Sequence, residues 1–250
     1  MSHIHFILQG KGGVGKSLIA ALMTQYQLHE GIPTIAVDTD PVNASLAAYS
    51  AFPTRRIELL DKHQNLKPRE FDTLMEMIVA HPDEAFVIDN GASSFLPLSG
   101  YLVENDVMAM LQGMGRQVIV HTVVTGGQAM MDTLHGLAAL GKNMQVPLAI
   151  WINGYFGEVV ADGKRFEQMK VYESLKRQIV AVMRIDKMSP LFEDDFRTLL
   201  ERHLTFEQAL QDDSFNLMAR NRLKMIRDNL FAQLGHLRAA IAMDGSHAET

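Results

Sequence analysis

The sequence predicts an α/β fold, a mostly parallel β-sheet with helices on both faces of the P-loop NTPase type. Three observations lead there. Short β-rich runs alternate with longer helical periods through the first 155 or so residues, the rhythm that parallel pairing through right-handed crossovers requires. The glycine-rich string "GKGGVGKS" at residues 10–17 falls between the first strand and the first helix. Aspartates follow closely on the apolar runs at 33–38 and 85–89, on the edge where parallel sheets bind ligands.

The elements follow in order. "IHFIL" at 4–8 is a buried strand, and the helix from Ser17 runs to Gly31, a residue that ends helices easily. Strand 33–38 precedes helix 71–80, and the polar stretch 55–70 between them is expected as a surface excursion. Strand 85–89, a helical stretch near 104–112, strand 117–124, helix 127–140 and strand 146–153 complete the alternation. After the short apolar run 178–183 the chain becomes helical from about 185 and ends in an amphipathic segment over 215–243. No repeat or linker divides the 250 residues, so a single domain is expected.

Composition narrows the function. The 47% hydrophobic content suits a globular core, and no apolar run is long enough to span a membrane. The start "MSHIHFILQG" lacks the basic region and cleavage site of a signal peptide, so a soluble, cytoplasmic protein is expected. The chain has no cysteine, which excludes disulfides, thiolate metal sites and cysteine-held iron-sulfur clusters. A net charge of -6 offers nucleic acid no general attraction, although a local basic patch can still supply contact with DNA. The 16 methionines suit gap-filling in a core or an adaptable surface.

The string at 10–17 satisfies GxxxxGK[ST], and its chemistry explains each residue type. Gly10, Gly12, Gly13 and Gly15, with Lys11, Val14 and Leu18 beside them, let successive N–H groups approach phosphate oxygens without a Cβ in the way. The helix that starts near Lys16 adds the positive end of its dipole. Lys16 is placed to reach the β and γ phosphates of a nucleotide, and the Ser17 hydroxyl to complete a Mg2+ shell otherwise made of water and phosphate. Lys11 goes beyond the general motif.

"KGGVGK[ST]" resembles the deviant Walker A sequence of the ParA/MinD group of P-loop ATPases. The resemblance implies that Lys11 is the signature lysine, which reaches the nucleotide of a partner subunit, and that ATP drives formation of a sandwich homodimer. It also implies that Asp40, the second aspartate of "DTDP", orients the hydrolytic water, while Asp38 acts near the metal. "FVIDNGAS" resembles a Walker B strand whose Asp89 holds Mg2+ through water. Asn153 is similar to the family's adenine-contacting asparagine; a turn cap is the alternative. GTP-specific relatives carry [NT]KxD, which is absent here, so ATP is favoured. Two departures stand out: Val42 replaces the usual glutamine after "DxDP", and "NGASS" replaces a proline-bearing stretch after Asp89. In relatives both segments are switch regions.

Other residues also suggest chemistry. His3 and His5 share a face of the first strand, a potential metal pair without an evident third ligand. Ser93 and Ser94 lack the histidine pattern of nucleophilic catalysis and belong to a switch loop. Leu223, Ile226, Leu230, Leu234, Leu237 and Ile241 form a helical stripe, with Arg222, Lys224, Arg227 and Arg238 elsewhere. Such a helix packs on the core or a subunit, or lies on an anionic membrane. The reductase branch of the group is closed by the lack of cysteine. Three functions remain: an ATPase switch for a plasmid or protein partner, a metabolic ATP-dependent ligase or kinase, and a membrane-surface positioning ATPase. The combined motifs are most similar to nucleotide-binding proteins of plasmid conjugal-transfer regions. That implies an ATPase, slow without its partner, acting with conjugal-transfer or partition proteins.

Overall fold

The computed structural model describes residues 2–61, 65 and 67–245. Its centre is a seven-stranded, all-parallel sheet. The strands are β1 (His3–Ile7), β2 (Thr34–Asp38), β3 (Thr54–Arg56), β4 (Ala85–Asp89), β5 (Gln117–Thr125), β6 (Leu148–Asn153) and β9 (Ile179–Ile185), in the spatial order β3-β2-β4-β1-β5-β6-β9. Register aligns Ile7 with Asp89 and Asp89 with Asp38. Three strands therefore end level, which puts both aspartates beside the loop that leaves β1.

Helices cover both faces. On one side lie α2 (Pro68–Ala80), α3 (Phe95–Glu104), α4 (Val107–Gly113), α5 (Met130–Asn143) and α6 (Lys170–Leu175), packed on Ile4, Phe6, Val118, Val120 and Ile150. On the other lie α1 (Lys16–His29), α7 (Pro190–Glu201), α8 (Phe206–Gln211) and α9 (Leu217–Gly245), packed on Ile7, Ile119, Val123 and Trp151. Alternate residues of one strand thus supply alternate cores. β4 is buried at every position, which is why it reads as an unbroken apolar run. A small antiparallel hairpin, β7 (Val160–Ala161) with β8 (Lys164–Arg165), lies outside the main sheet.

Two expectations change and one open choice is decided. The stretch 55–70 is only partly a surface excursion, because β3 pairs with β2 and Ile57, Leu59 and Leu60 are buried. Exposed Arg55 and Arg56 disguise the strand, as suits an edge that must not recruit another chain. Residues 62–64 and 66 of that stretch lie outside the described residues. The helix expected near 104–112 is α4, and an unexpected helix, α3, precedes it; the two are separated at Asp106, which takes φ 47°. The six apolar residues of the terminal stripe are all buried against the sheet layer, so none is free to enter a membrane. Of the polar tail that follows, residues 246–250 lie outside the described residues. No helix among the described residues is long and apolar enough to cross a membrane.

Candidate nucleotide-binding site

The loop from β1 to α1 takes its shape from two glycines. Gly13 adopts φ 71° and Gly15 φ 107°, conformations that strain any residue with a Cβ. Gly15 caps α1 without a side-chain hydrogen bond, which leaves the first-turn N–H groups to the concavity of the loop. Buried Lys16 lies across this concavity and donates from Nζ to the Lys11 carbonyl at 2.8 Å. Burial lowers its pKa, and the neighbouring Asp89 and Asp40 carboxylates oppose that effect.

The three aspartates play distinct structural parts. Asp38 is fully buried and spends both oxygens on the backbone, Oδ1 accepting from Asp40 N at 3.1 Å and Oδ2 from Ala47 N at 3.0 Å. Asp40 accepts with Oδ1 from Val42 N at 2.8 Å and Asn43 N at 3.1 Å, and Oδ2 accepts no hydrogen bond among the described residues. Asp89 is different: both of its buried oxygens lack a hydrogen-bond partner. Burial pushes its pKa up to about 7; Asp38 and Asp40 add to the rise, while the Ser17 hydroxyl and Lys16 work against it. The hydroxyl is close enough to act electrostatically without making a well-formed bond.

An unpartnered buried carboxylate facing a serine hydroxyl suits a divalent cation such as Mg2+. No group of three or more His, Asp or Glu side chains among the described residues forms a complete metal cage. A cation held at Ser17 and Asp89 therefore needs oxygens from water and a phosphate ligand.

Two cavities adjoin the loop. One, of about 560 Å³, is polar and lined by Lys16, Ser17, Asp40, Asn43 and Ser93 among others. The second, of about 310 Å³, is more apolar, with walls from Leu18, Tyr155, Phe156, Ile185 and Met188. Gly13, Gly15 and Leu18 line both, so a polar space with room for a chain of phosphates adjoins an apolar one suited to a flat ring. Asn153 also lines the apolar cavity, but its amide is engaged. Nδ2 donates to Val14 O at 2.9 Å, and Oδ1 accepts from Tyr155 N at 3.1 Å, capping the turn at 154–156.

Lys11 is exposed at the rim and forms an ion pair with Asp132 in the first turn of α5, Nζ to Oδ2 at 2.8 Å. This contact holds the Asp132 carboxyl below its ordinary pKa. Asp132 is 121 positions away in sequence and carries no motif, so only the fold reveals it. Gln9 was likewise not singled out. Buried next to Gly10, it donates from Nε2 to Val123 O at 2.9 Å and Thr133 O at 3.2 Å, tying the loop to β5 and α5. Its only sequence signal was a polar residue ending an apolar strand.

His3 and His5 do not act as a pair. His5 Nδ1 meets His121 Nε2 at 2.9 Å, Trp151 Nε1 donates to His121 Nδ1 at 3.1 Å, and Gln27 lies 3.0 Å from His5 Nε2. The indole can only donate, so His121 must carry its proton on Nε2 and give it to His5 Nδ1. His5 then donates from Nε2, which assigns the Gln27 oxygen, rather than its nitrogen, to that contact.

Two Escherichia coli proteins named TraL are 46% and 44% identical to the chain over 237 residues, in each case 94% of this chain and 98% of the relative. The MinD cell division protein of Aquifex aeolicus is similar in structure, with a TM-score of 0.50 at 14% identity over 92% of this chain and 98% of that one. The septum site-determining protein MinD of Pyrococcus horikoshii OT3, solved with Mg-ADP, also gives 0.50, at 15% identity over 90% and 95%. At such identities the likeness is one of fold. No protein-family model matches the chain. Near-full-length identity of this size, on the parallel sheet of a P-loop NTPase, shows that the chain belongs to the TraL family.

Proposed function

We propose that the protein binds and hydrolyses ATP as a dimeric switch that serves plasmid conjugal transfer. The observation that carries this reading is the convergence of Lys16, Ser17 and Asp40 on one polar cavity, with the buried Asp89 carboxylate close enough to Ser17 and Lys16 to be stabilised by them, and with Lys11 exposed on the same loop. Conjugal transfer is supported by the family alone.

In this mechanism the loop amides and Lys16 bind the β and γ phosphates, where they stabilise the charge of the transition state. Ser17 and Asp89, with Asp38 behind them, would hold Mg2+, which neutralises phosphate charge when bound. Asp40 orients a water molecule that adds to the γ-phosphorus as the bond to ADP breaks. The apolar cavity beside Asn153 receives the adenine. Lys11 leaves Asp132 and reaches the nucleotide of a second copy, so that ATP assembles the dimer and hydrolysis releases it. Val42 and Leu96, large apolar residues left exposed near this edge, suit burial against that copy.

The test is the mass of Asp40→Ala in solution. With saturating Mg-ATP it should double by light scattering, while ADP leaves it monomeric. A monomer in ATP would refute the dimeric switch.

A further inference from the structure

The segment 90–95 touches both halves of the site. Asn90 is fully buried; its Oδ1 accepts from Ser94 Oγ at 2.7 Å and lies 3.2 Å from Thr39 Oγ1, while Nδ2 donates to Gly91 O at 3.1 Å. Thr39, between the two aspartates of "DTDP", donates to the Asp89 carbonyl from both N and Oγ1, each at 2.9 Å. A Cβ placed on Gly91 would lie 2.7 Å from Asp40 Cγ and 2.8 and 3.0 Å from its oxygens. At its other end the segment packs on the phosphate loop. A Cβ on Gly10 would stand 2.9 Å from Phe95 Cδ1, and one on Gly12 would stand 3.8 Å from Ala92 Cβ.

We propose that residues 90–95 are a rigid coupler that fixes Asp40 relative to the phosphate loop, with Gly91 as the positioning residue against which the Asp40 carboxylate lies. A buried network in which hydroxyls and amide satisfy one another has few alternative arrangements, so the segment moves as a unit. Asp40 cannot retreat freely, because Val42 N and Asn43 N hold its Oδ1. The segment therefore joins the phosphate loop, at Phe95, to the Asp40 carboxylate, at Gly91.

The proposal rests on the role given to Asp40, and a double-mutant cycle separates the two. Gly91→Ala should lower kcat by about tenfold or more while changing ATP affinity less than about threefold, and should change the residual rate of Asp40→Ala less than about twofold. In the nucleotide-free protein, the amides of Val42 and Asn43 should exchange hydrogen roughly tenfold faster in Gly91→Ala, as Asp40 releases them. Ser94→Ala adds no bulk and should give the same pattern with smaller amplitude, which carries the test if Gly91→Ala does not fold. Equal loss in both backgrounds, normal kcat, or unchanged exchange at Val42 and Asn43 overturns the coupler alone. An Asp40→Ala variant with normal turnover overturns the role of Asp40 and the coupler with it.

Discussion

Acid should destabilise the protein through His121, and His121→Gln should remove that sensitivity. Burial pushes the His121 pKa down from 6.5 to about 3, and His5 is lowered in the same direction by burial and by His121. Below pH 6.5 the unfolded chain binds a proton that native His121 refuses, so stability falls as pH drops and levels off only near pH 3. Between pH 7 and pH 5 the loss is about 1.5 pH units at 1.36 kcal/mol each, or about 2 kcal/mol. Glutamine still offers an acceptor to Trp151 and a donor to His5, so its side chain keeps the chain of bonds without the titration. Urea unfolding at pH 7 and pH 5, at matched ionic strength, measures the difference. The wild type should lose about 2 kcal/mol more than the variant, with carboxylate effects common to both cancelling. Equal losses would show that His121 accepts its proton in the folded state, contrary to the tautomer chain set by Trp151.

Three further outcomes follow from the site. Lys16→Ala should weaken ATP binding on the order of a hundredfold by calorimetry, and unchanged affinity would remove Lys16 from the phosphate site. Asp89→Asn should make the ligand-free protein more stable by about 1–2 kcal/mol in urea, because an unpartnered buried carboxylate is costly, while abolishing the Mg2+ dependence of nucleotide binding. A variant that is less stable yet still Mg2+-dependent would contradict the cation role. Asp132→Asn frees Lys11 and should let Asp40→Ala dimerise with ATP at lower protein concentration; an unmoved midpoint would mean that the ion pair does not restrain Lys11.

The parts of the fold legible in the sequence are those governed by local rules. β4 and β6 announce themselves as continuous apolar runs because both faces are buried, and the phosphate loop is contiguous, so its glycines and lysines keep their spacing in any context. β3 was hidden because its three residues, Thr-Arg-Arg, face an edge and carry no apolar pattern. α3 was hidden because Pro97 and Gly100 interrupt it in sequence, although the proline sits in the first turn, where its missing N–H costs nothing. Site residues contributed from afar were harder. Asp132 reaches Lys11 only through the packing of α5 on β5, and the contact of Asn153 with Val14 O spans 139 positions that no local pattern connects. Gly91 gave no signal at all, since a glycine that makes room for a carboxylate 51 positions earlier looks like any loop glycine.

The long helix α9 has a practical consequence for following the switch in solution. Near its end, the Ile241 carbonyl accepts from Gln117 Nε2 at 3.2 Å, and Gln117 begins β5. In a parallel sheet the strand starts lie opposite the ligand edge, so a dye or fused reporter joined after α9 would emerge behind the molecule. It could report assembly by energy transfer without standing between facing nucleotides, and an anchored copy would still present its phosphate loops to whatever it meets.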